Sequence, residues 1–233
     1  IISAGSKDSS SAKVWKINDI TNLFTNANGY TLKGSTITGP SANQLFGYSI
    51  SINSDGTVVL ITGDSGSGRA RIYEWSGTAW SLKGSEITGG NNEGFGFDGA
   101  INGDGTVVAI GSRIYGGGNV GKASVYQWNG SGWSLKGSHL YGNSNQEMFG
   151  SSVHLNSSGT ILAVGSPQYG GNSGRTQIYE WNGSAWAIKG SHIAGMAASD
   201  VSMVKSMNND GTIVAIGATG FDGGVGTDSG TVL

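Results

Sequence analysis

Residues Phe95 to Leu140 read FGFDGAINGDGTVVAIGSRIYGGGNVGKASVYQWNGSGWSLKGSHL. Short apolar or alternating runs in this segment are separated by turns rich in Gly, Asn and Asp. The Asp104-Gly105 pair is typical of a tight hairpin, because Gly accepts positive φ. The pattern predicts four antiparallel strands, a to d, at Phe95–Ile101, Thr106–Ile110, Ala123–Trp128 and Trp133–Ser138.

This segment recurs about every fifty residues along the chain. One marker is a Leu/Ile-Lys-Gly-Ser motif, whose four glycines are 50, 53 and 53 residues apart, at Gly34, Gly84, Gly137 and Gly190. A second marker is a pair of tryptophans five residues apart, found at Trp75 and Trp80, Trp128 and Trp133, and Trp181 and Trp186. Self-similarity at this period is typical of propellers and other repeat arrays.

The predicted fold is therefore all-β, a β-propeller of roughly 50–54-residue repeats with four antiparallel strands per blade. The 233 residues would form about four and a half blades of one domain, an excerpt from a longer array. We place the units at residues 1–39 (partial), 40–89, 90–142, 143–195 and 196–233 (partial). The tryptophan pairs are expected to pack between blades and at the outer rim.

Composition excludes several classes of protein. The net charge is -2, charged residues make up 12% of the chain, and no basic stretch exists, which argues against a nucleic-acid partner. The longest apolar runs, such as Val58–Ile61, have the length of a strand, so we expect no direct membrane insertion. The chain has no Cys, which removes disulfide scaffolds and Cys-based metal sites without fixing the compartment.

A Phe-Gly pair before strand b is matched by a glycine motif after it. The matched sets are Phe46-Gly47 with Gly63-Asp64, Phe95-Gly96 with Gly111-Ser112, Phe149-Gly150 with Gly165-Ser166-Pro167, and the divergent Val201-Ser202 with Gly217-Ala218. This arrangement resembles FG-GAP repeats, the blade units of integrin-α-like propellers. The resemblance implies an extracellular or cell-surface adhesion protein.

The calcium loop of that family needs several carboxylates, because Ca²⁺ takes six to eight oxygen ligands. The corresponding turns here hold one carboxylate each, at Asp55, Asp104 and Asp210, and the turn at Ser158 holds none. We predict plain hairpin turns and no cofactor, with calcium as the alternative.

No group of residues stands out from the repeats as a catalytic constellation. His139 and His192 occupy one repeat position at the end of strand d, and His154 lies in strand a without a second His at metal-ligand spacing. The sequence therefore predicts that the chain is not an enzyme, with no catalytic, cofactor-binding or metal site.

Two features suggest exposed sites. Tyr115, Tyr169 and Phe221 each lie four residues after the glycine that closes strand b. They are candidate ligand-facing loop aromatics, because such rings bind sugars or protein hot spots; alternatively, each ring covers the edge of an adjacent blade. Asn-x-Ser sequons make Asn129, Asn156 and Asn182 candidate N-glycosylation sites.

Together these observations predict a non-catalytic extracellular structural or adhesion propeller, a rigid interaction scaffold in a surface or filament protein. Its expected partners are other proteins, copies of itself or surface glycans. The alternative is a multivalent carbohydrate-binding (lectin-type) propeller with one weak site per blade.

Overall fold

The structure is a computed structural model that describes residues 11–17, 30–40, 44–195, 201–219 and 231–232. In these ranges the chain forms short antiparallel strands, with one four-residue helical turn, α1 (Tyr169–Asn172). The prediction of an all-β fold is confirmed. No helix within the described ranges has the length and apolar character needed to span a bilayer.

The strands fall into five groups, I to V, along the chain. Group I contains β1 (Ser11–Ala12), β2 (Trp15–Ile17), β3 (Tyr30–Leu32) and β4 (Ile37–Thr38). Group II contains β5 (Ile50–Ile52), β6 (Val58–Gly63), β7 (Arg69–Trp75), β8 (Trp80–Leu82) and β9 (Ile87–Thr88). Group III contains β10 (Phe95–Ile101), β11 (Val107–Ser112), β12 (Lys122–Trp128), β13 (Trp133–Leu135) and β14 (Leu140–Tyr141). Group IV contains β15 (Ser152–Leu155), β16 (Ile161–Ser166), β17 (Arg175–Trp181), β18 (Trp186–Ile188) and β19 (Ile193–Ala194), and group V contains β20 (Ser202–Met207), β21 (Val214–Ala218) and β22 (Thr231–Val232).

Groups II, III and IV repeat one antiparallel sheet of five strands, and this corrects the prediction of four strands per repeat. In group III the order is β10-β11-β12-β13, while β14 pairs with the first half of β12, where Ala123 faces Leu140. Strand d ends at Leu135 rather than at Ser138, because Gly137 has a φ of +80° and turns the chain. The Lys-Gly-Ser motif is therefore a turn, and after it the chain pairs with strand c a second time. We call this second segment, the fifth strand of the sheet, strand e.

The core lies between successive sheets. In β6 all six residues are buried, as the unbroken apolar run predicts for a strand covered on both faces. Val58 and Leu60 belong to a cluster with group III, whereas Val59 and Ile61 belong to a cluster with group I. Alternating side chains of one strand thus pack against both neighbouring sheets.

The turns between strands a and b form a continuous belt of backbone hydrogen bonds. The Ser54 amide donates to the Gly103 carbonyl at 3.0 Å, the Gly103 amide to the Ser157 carbonyl at 2.9 Å, and the Ser157 amide to the Asn209 carbonyl at 2.8 Å. Strand a of each of groups III to V also contacts strands a and b of the group before it. Successive sheets therefore meet at these turns.

A second contact joins successive sheets through the tryptophans of the hairpin between strands c and d, and we call it the indole clasp. The indole Nε1 of Trp80 donates to the Lys33 carbonyl at 2.7 Å, that of Trp133 to Lys83 at 2.8 Å, and that of Trp186 to Lys136 at 2.9 Å. The Lys ammonium of each turn lies 5.1–5.4 Å from an indole of the next group. The predicted packing of the tryptophan pairs between successive sheets is confirmed by these contacts.

Candidate functional site

A polar cavity lies where strands a of groups II to V converge. It has a volume of about 400 Å³, and its wall includes Tyr48, Phe97, Asp98, His154 and Lys205. The Tyr48 and Phe97 ring centroids are 5.3 Å apart, and 47% of Tyr48 is exposed. The cavity thus combines an aromatic wall with an anionic, a cationic and an imidazole group.

Asp98 ties three groups together. Its Oδ1 accepts a hydrogen bond from the Ser49 hydroxyl at 2.9 Å, and its Oδ2 accepts one from the Val153 amide at 2.9 Å. Both carboxylate oxygens therefore have protein partners. The residue lies in an irregular stretch of β10, between the paired residues Phe95 and Gly99, where the register shifts. This irregularity is typical of a bulge, which re-aims side chains next to functional sites.

His154, which is on β15, lies beside Asp98 and Lys205. Burial lowers the pKa of its imidazole from the usual 6.5, the Asp98 carboxylate acts in the opposite direction, and the Lys205 ammonium lowers the pKa further. A neutral imidazole both donates and accepts hydrogen bonds, and Lys205 is an exposed cation. The cavity can therefore hold a small polar or anionic molecule.

Sequence reasoning assigned no role to these residues. By strand register, His154 stands where groups II, III and V carry Ser51, Ala100 and Ser206. A departure from the repeat at strand a is thus the signal that could have found the site. Asp98 and Lys205 lie beside His154 because of how the sheets pack, and the repeat period does not predict that packing.

Two of the three predicted loop aromatics lie over cations of their own group. The Tyr115 ring is 4.3 Å from the Lys122 ammonium and 5.4 Å from the Tyr141 ring. The Tyr169 ring is 4.3 Å from the Arg175 guanidinium and 5.4 Å from the His192 ring. Both are partly exposed. Phe221 lies outside the described residues.

The cations beneath these rings form ion pairs, of which the first is half-buried and the second is buried. The Lys122 ammonium lies 2.8 Å from Glu93, and the Arg175 Nε donates to Glu147 at 2.9 Å. The Glu147 side chain is fully buried and also accepts hydrogen bonds from the Ser166 hydroxyl at 3.0 Å and the Asn143 amide at 2.7 Å. The tyrosines thus cover ion pairs of their own repeat, and both roles given for these rings, facing a ligand or covering the edge of an adjacent blade, stay predictions.

The three sequons differ in accessibility. Asn129 and Asn182 lie on exposed turns between strands c and d. Asn156 is only 4% exposed, and its Oδ1 accepts hydrogen bonds from the Thr160 and Ile161 amides, both at 2.9 Å. The folded chain therefore presents Asn129 and Asn182, and not Asn156, as acceptors for a glycan.

The turns that correspond to the family's calcium loops are closed by their own side chains. Asp55 accepts a hydrogen bond from the Thr57 amide at 2.9 Å, and Asp104 accepts one from the Thr106 amide at 2.9 Å. Hydrogen bonds from Thr57 lower the pKa of Asp55 below its usual value. Within the described ranges, no three His, Asp or Glu side chains gather as metal ligands would. The prediction of hairpin turns is confirmed.

Comparison with known proteins adds a likeness of fold. No family model matches the chain, and no curated protein matches it. Among the solved structures that it resembles is a "putative 6-phosphogluconolactonase" from Bacteroides fragilis, with a TM-score of 0.57 and 12% sequence identity. The likeness covers 89% of this chain and 57% of the neighbour, so the chain spans little more than half the neighbour's length.

This neighbour corrects one prediction. The prediction that the chain is not an enzyme is wrong. It rests on the repetition of one sheet, and a protein named as an enzyme has a similar fold. Repetition of one sheet therefore does not exclude catalysis. At 12% identity the likeness shows the fold alone, and the neighbour's named activity is not carried over to this chain.

Proposed function

We propose that this chain is a rigid interaction scaffold, a structural or adhesion β-propeller in an extracellular surface or filament protein. The observation that carries the proposal is the indole clasp, which recurs three times with Nε1 to carbonyl distances of 2.7–2.9 Å. The same contact at the interfaces between groups I and II, II and III, and III and IV favours rigidity over movement. Partners of such a scaffold are other proteins, copies of the chain or surface glycans.

A propeller of about four and a half blades accounts for the sheets. Groups II to V meet at the turns between strands a and b through the hydrogen-bonded belt, as blades do near a central axis. The likeness of fold, which covers 89% of this chain and 57% of the structural neighbour, supports a repeat array of this kind. The Phe-Gly repeats fit an FG-GAP-like origin for these blades.

The extracellular part of the proposal is tested by mass spectrometry of the native protein. Glycopeptides carrying Asn129 or Asn182 are expected, while Asn156 should be unmodified because it is buried. Unmodified asparagine at both exposed sequons would contradict passage through a eukaryotic secretory route.

Carbohydrate binding is the second candidate function, and the polar cavity favours it. An aromatic wall formed by Tyr48 and Phe97 faces hydrogen-bonding groups of His154 and Lys205, a combination that suits a sugar ring. In this second candidate function a sugar binds where strands a converge, in addition to the loop sites near Tyr115 and Tyr169.

A glycan array with matched variants separates these sites. Tyr48→Ala should abolish hits that depend on the cavity, whereas Tyr141→Ala, which removes a similarly exposed tyrosine, should not. Loss of hits only in the Tyr115→Ala, Tyr169→Ala double variant would assign sugar binding to the loops. An array without hits for the unsubstituted chain would remove the second candidate.

A further inference from the structure

The Lys-Gly-Ser turn at Lys189–Ser191 is built like the other three turns, but among the described residues no indole lies against it. A Cβ on Gly34, Gly84 or Gly137 would lie 2.5–2.8 Å from an indole of the next group. A Cβ on Gly190 would have no heavy atom within 4 Å, although its φ of +70° is close to the +76° of Gly84.

Lys189 already has the arrangement of an occupied turn. Its ammonium lies 2.9 Å from the Glu180 carboxylate, as the Lys83 ammonium lies 2.6 Å from Glu74. The Lys83 side chain is 10% exposed beneath the indoles, whereas the Lys189 side chain is 50% exposed. The clasp of group IV is therefore preformed, and none of the described residues covers it.

A groove of about 980 Å³ lies beside this turn, between groups IV and V. Its wall includes Ile161, Ile178 and Ile193. By register these three correspond to Val107, Val125 and Leu140 of group III, which pack in one cluster with Tyr179 and Trp186 of the next group. The groove is thus shaped for the tyrosine and tryptophan of a following hairpin.

The edge of β21 provides the main-chain partner for such a hairpin. Among the described residues β22 pairs only with Gly217 and Ala218, which leaves the edge at 214–216 without a neighbouring strand. An unpaired strand edge binds an added strand through main-chain hydrogen bonds, and side-chain pockets supply specificity. By the register of group IV, the position opposite Val214 corresponds to the Tyr179 position.

We propose that this groove and the Lys189–Ser191 turn bind a β-hairpin that carries two indoles five residues apart, as the c–d hairpins of groups II to IV do. The added strand pairs with β21, its tyrosine and second tryptophan fill the groove, and that indole Nε1 donates to the Lys189 carbonyl. The inference continues an interface that occurs three times in the chain, and it does not depend on the proposed adhesive role.

The test uses a preformed hairpin as the probe. A fluorescein-labelled peptide with the sequence of Ile178–Lys189, closed by a disulfide between cysteines added at its ends, is titrated with the 233-residue chain and followed by anisotropy. Saturable binding is expected. A peptide in which both tryptophans are alanine should bind at least tenfold more weakly.

A matched pair of chain variants locates the binding. Gly190→Asn places a Cβ where the indole must lie, and Asn tolerates a left-handed backbone, so binding should fall at least tenfold. Gly171→Asn makes the same change at a φ of +75°, also in open space, and should leave binding unchanged.

Three results would overturn the proposal. These are no binding of the closed hairpin, equal binding of the tryptophan-free peptide, and binding that Gly190→Asn does not weaken. Self-association of the chain that Gly190→Asn removes, and that an excess of the closed hairpin does not compete with, would assign the groove to another part of a second copy and would also overturn the proposal.

Discussion

Gly84 and Gly190 have nearly the same backbone conformation in different surroundings. Substituting each in turn therefore distinguishes the cost of backbone strain from the cost of a steric clash. Alanine at either residue adopts a left-handed φ, at a cost of about 1–2 kcal/mol. At Gly84 the added Cβ also meets the Trp128 ring at 2.5 Å. We expect Gly84→Ala to lower the free energy of unfolding by roughly 1–3 kcal/mol more than Gly190→Ala, the usual range for overpacking.

Urea denaturation of the two variants measures this difference. Equal loss of stability in both would show that the indole does not seat against the turn, which would contradict the clasp geometry.

The Arg175–Glu147 pair should matter far more for stability than the Lys189–Glu180 pair. Replacing Arg175 with Met leaves the fully buried Glu147 carboxylate unpaired, which costs about 3–5 kcal/mol. Replacing Lys189 with Met removes a pair in which both side chains are 50% exposed, at a cost of about 0–1 kcal/mol. Thermal unfolding of both variants checks the ranking, and a smaller effect at Arg175 would contradict the burial of that pair.

His154 should make the fold less stable in mild acid. Burial lowers the pKa of the folded imidazole, so the unfolded chain binds the proton more readily. The stability contributed by neutral His154 is therefore present above about pH 6.5 and is lost as the pH falls through the folded-state pKa.

His154→Ser, which introduces the residue found at this position in groups II and V, should flatten the pH dependence below about pH 6.5. Asp98→Asn should lower the pKa of His154 further, because it removes the carboxylate that favours the imidazolium. An NMR titration of the imidazole measures both effects. A His154 pKa above its usual value would contradict the buried environment.

Among the structural elements, the sequence predicts where strands form better than it predicts where they end. The runs at Phe95–Ile101 and Thr106–Ile110 form strands close to where apolar pattern and Asp-Gly turns place them. The predicted range of strand d is too long, because Lys136-Gly137-Ser138 continues its alternation of apolar and polar residues. Only the positive φ of Gly137 and the packing of an indole on that glycine reveal the turn and strand e.

The clasp predicts unequal roles for the two tryptophans of each hairpin. Trp133→Phe removes the hydrogen bond to the half-buried Lys83 carbonyl, a loss of about 0.5–1.5 kcal/mol. Trp133 and Trp128 lie 5.4 Å apart, yet Trp128 reaches the turn through its ring face and the Lys83 ammonium. Trp128→Phe should therefore cost less, and calorimetry of the two variants should show that order. The reverse order would contradict the assigned donor.

At the scale of the whole molecule, the repeat period predicts how many sheets form but not how they meet. Each sheet contacts the next through turns that lie about fifty residues apart in sequence, such as Ser54 with Gly103. For the same reason the cavity residues Asp98, His154 and Lys205 come together only after the sheets pack. The loop aromatics could be located from the sequence. The cations beneath Tyr115 and Tyr169 could not, because these cations lie on strand c and meet the rings only after the chain folds.

We expect successive sheets to fan out from a common axis, with the turns between strands a and b innermost. The chain has no Cys, so spin labels at introduced cysteines report single distances by double electron–electron resonance. We predict that the Asp55–Ser158 pair, on the inner turns of groups II and IV, is clearly closer than the Thr78–Ser184 pair on the outer hairpins. Equal distances for the two pairs would mean that the sheets stack in a line, and would contradict the account.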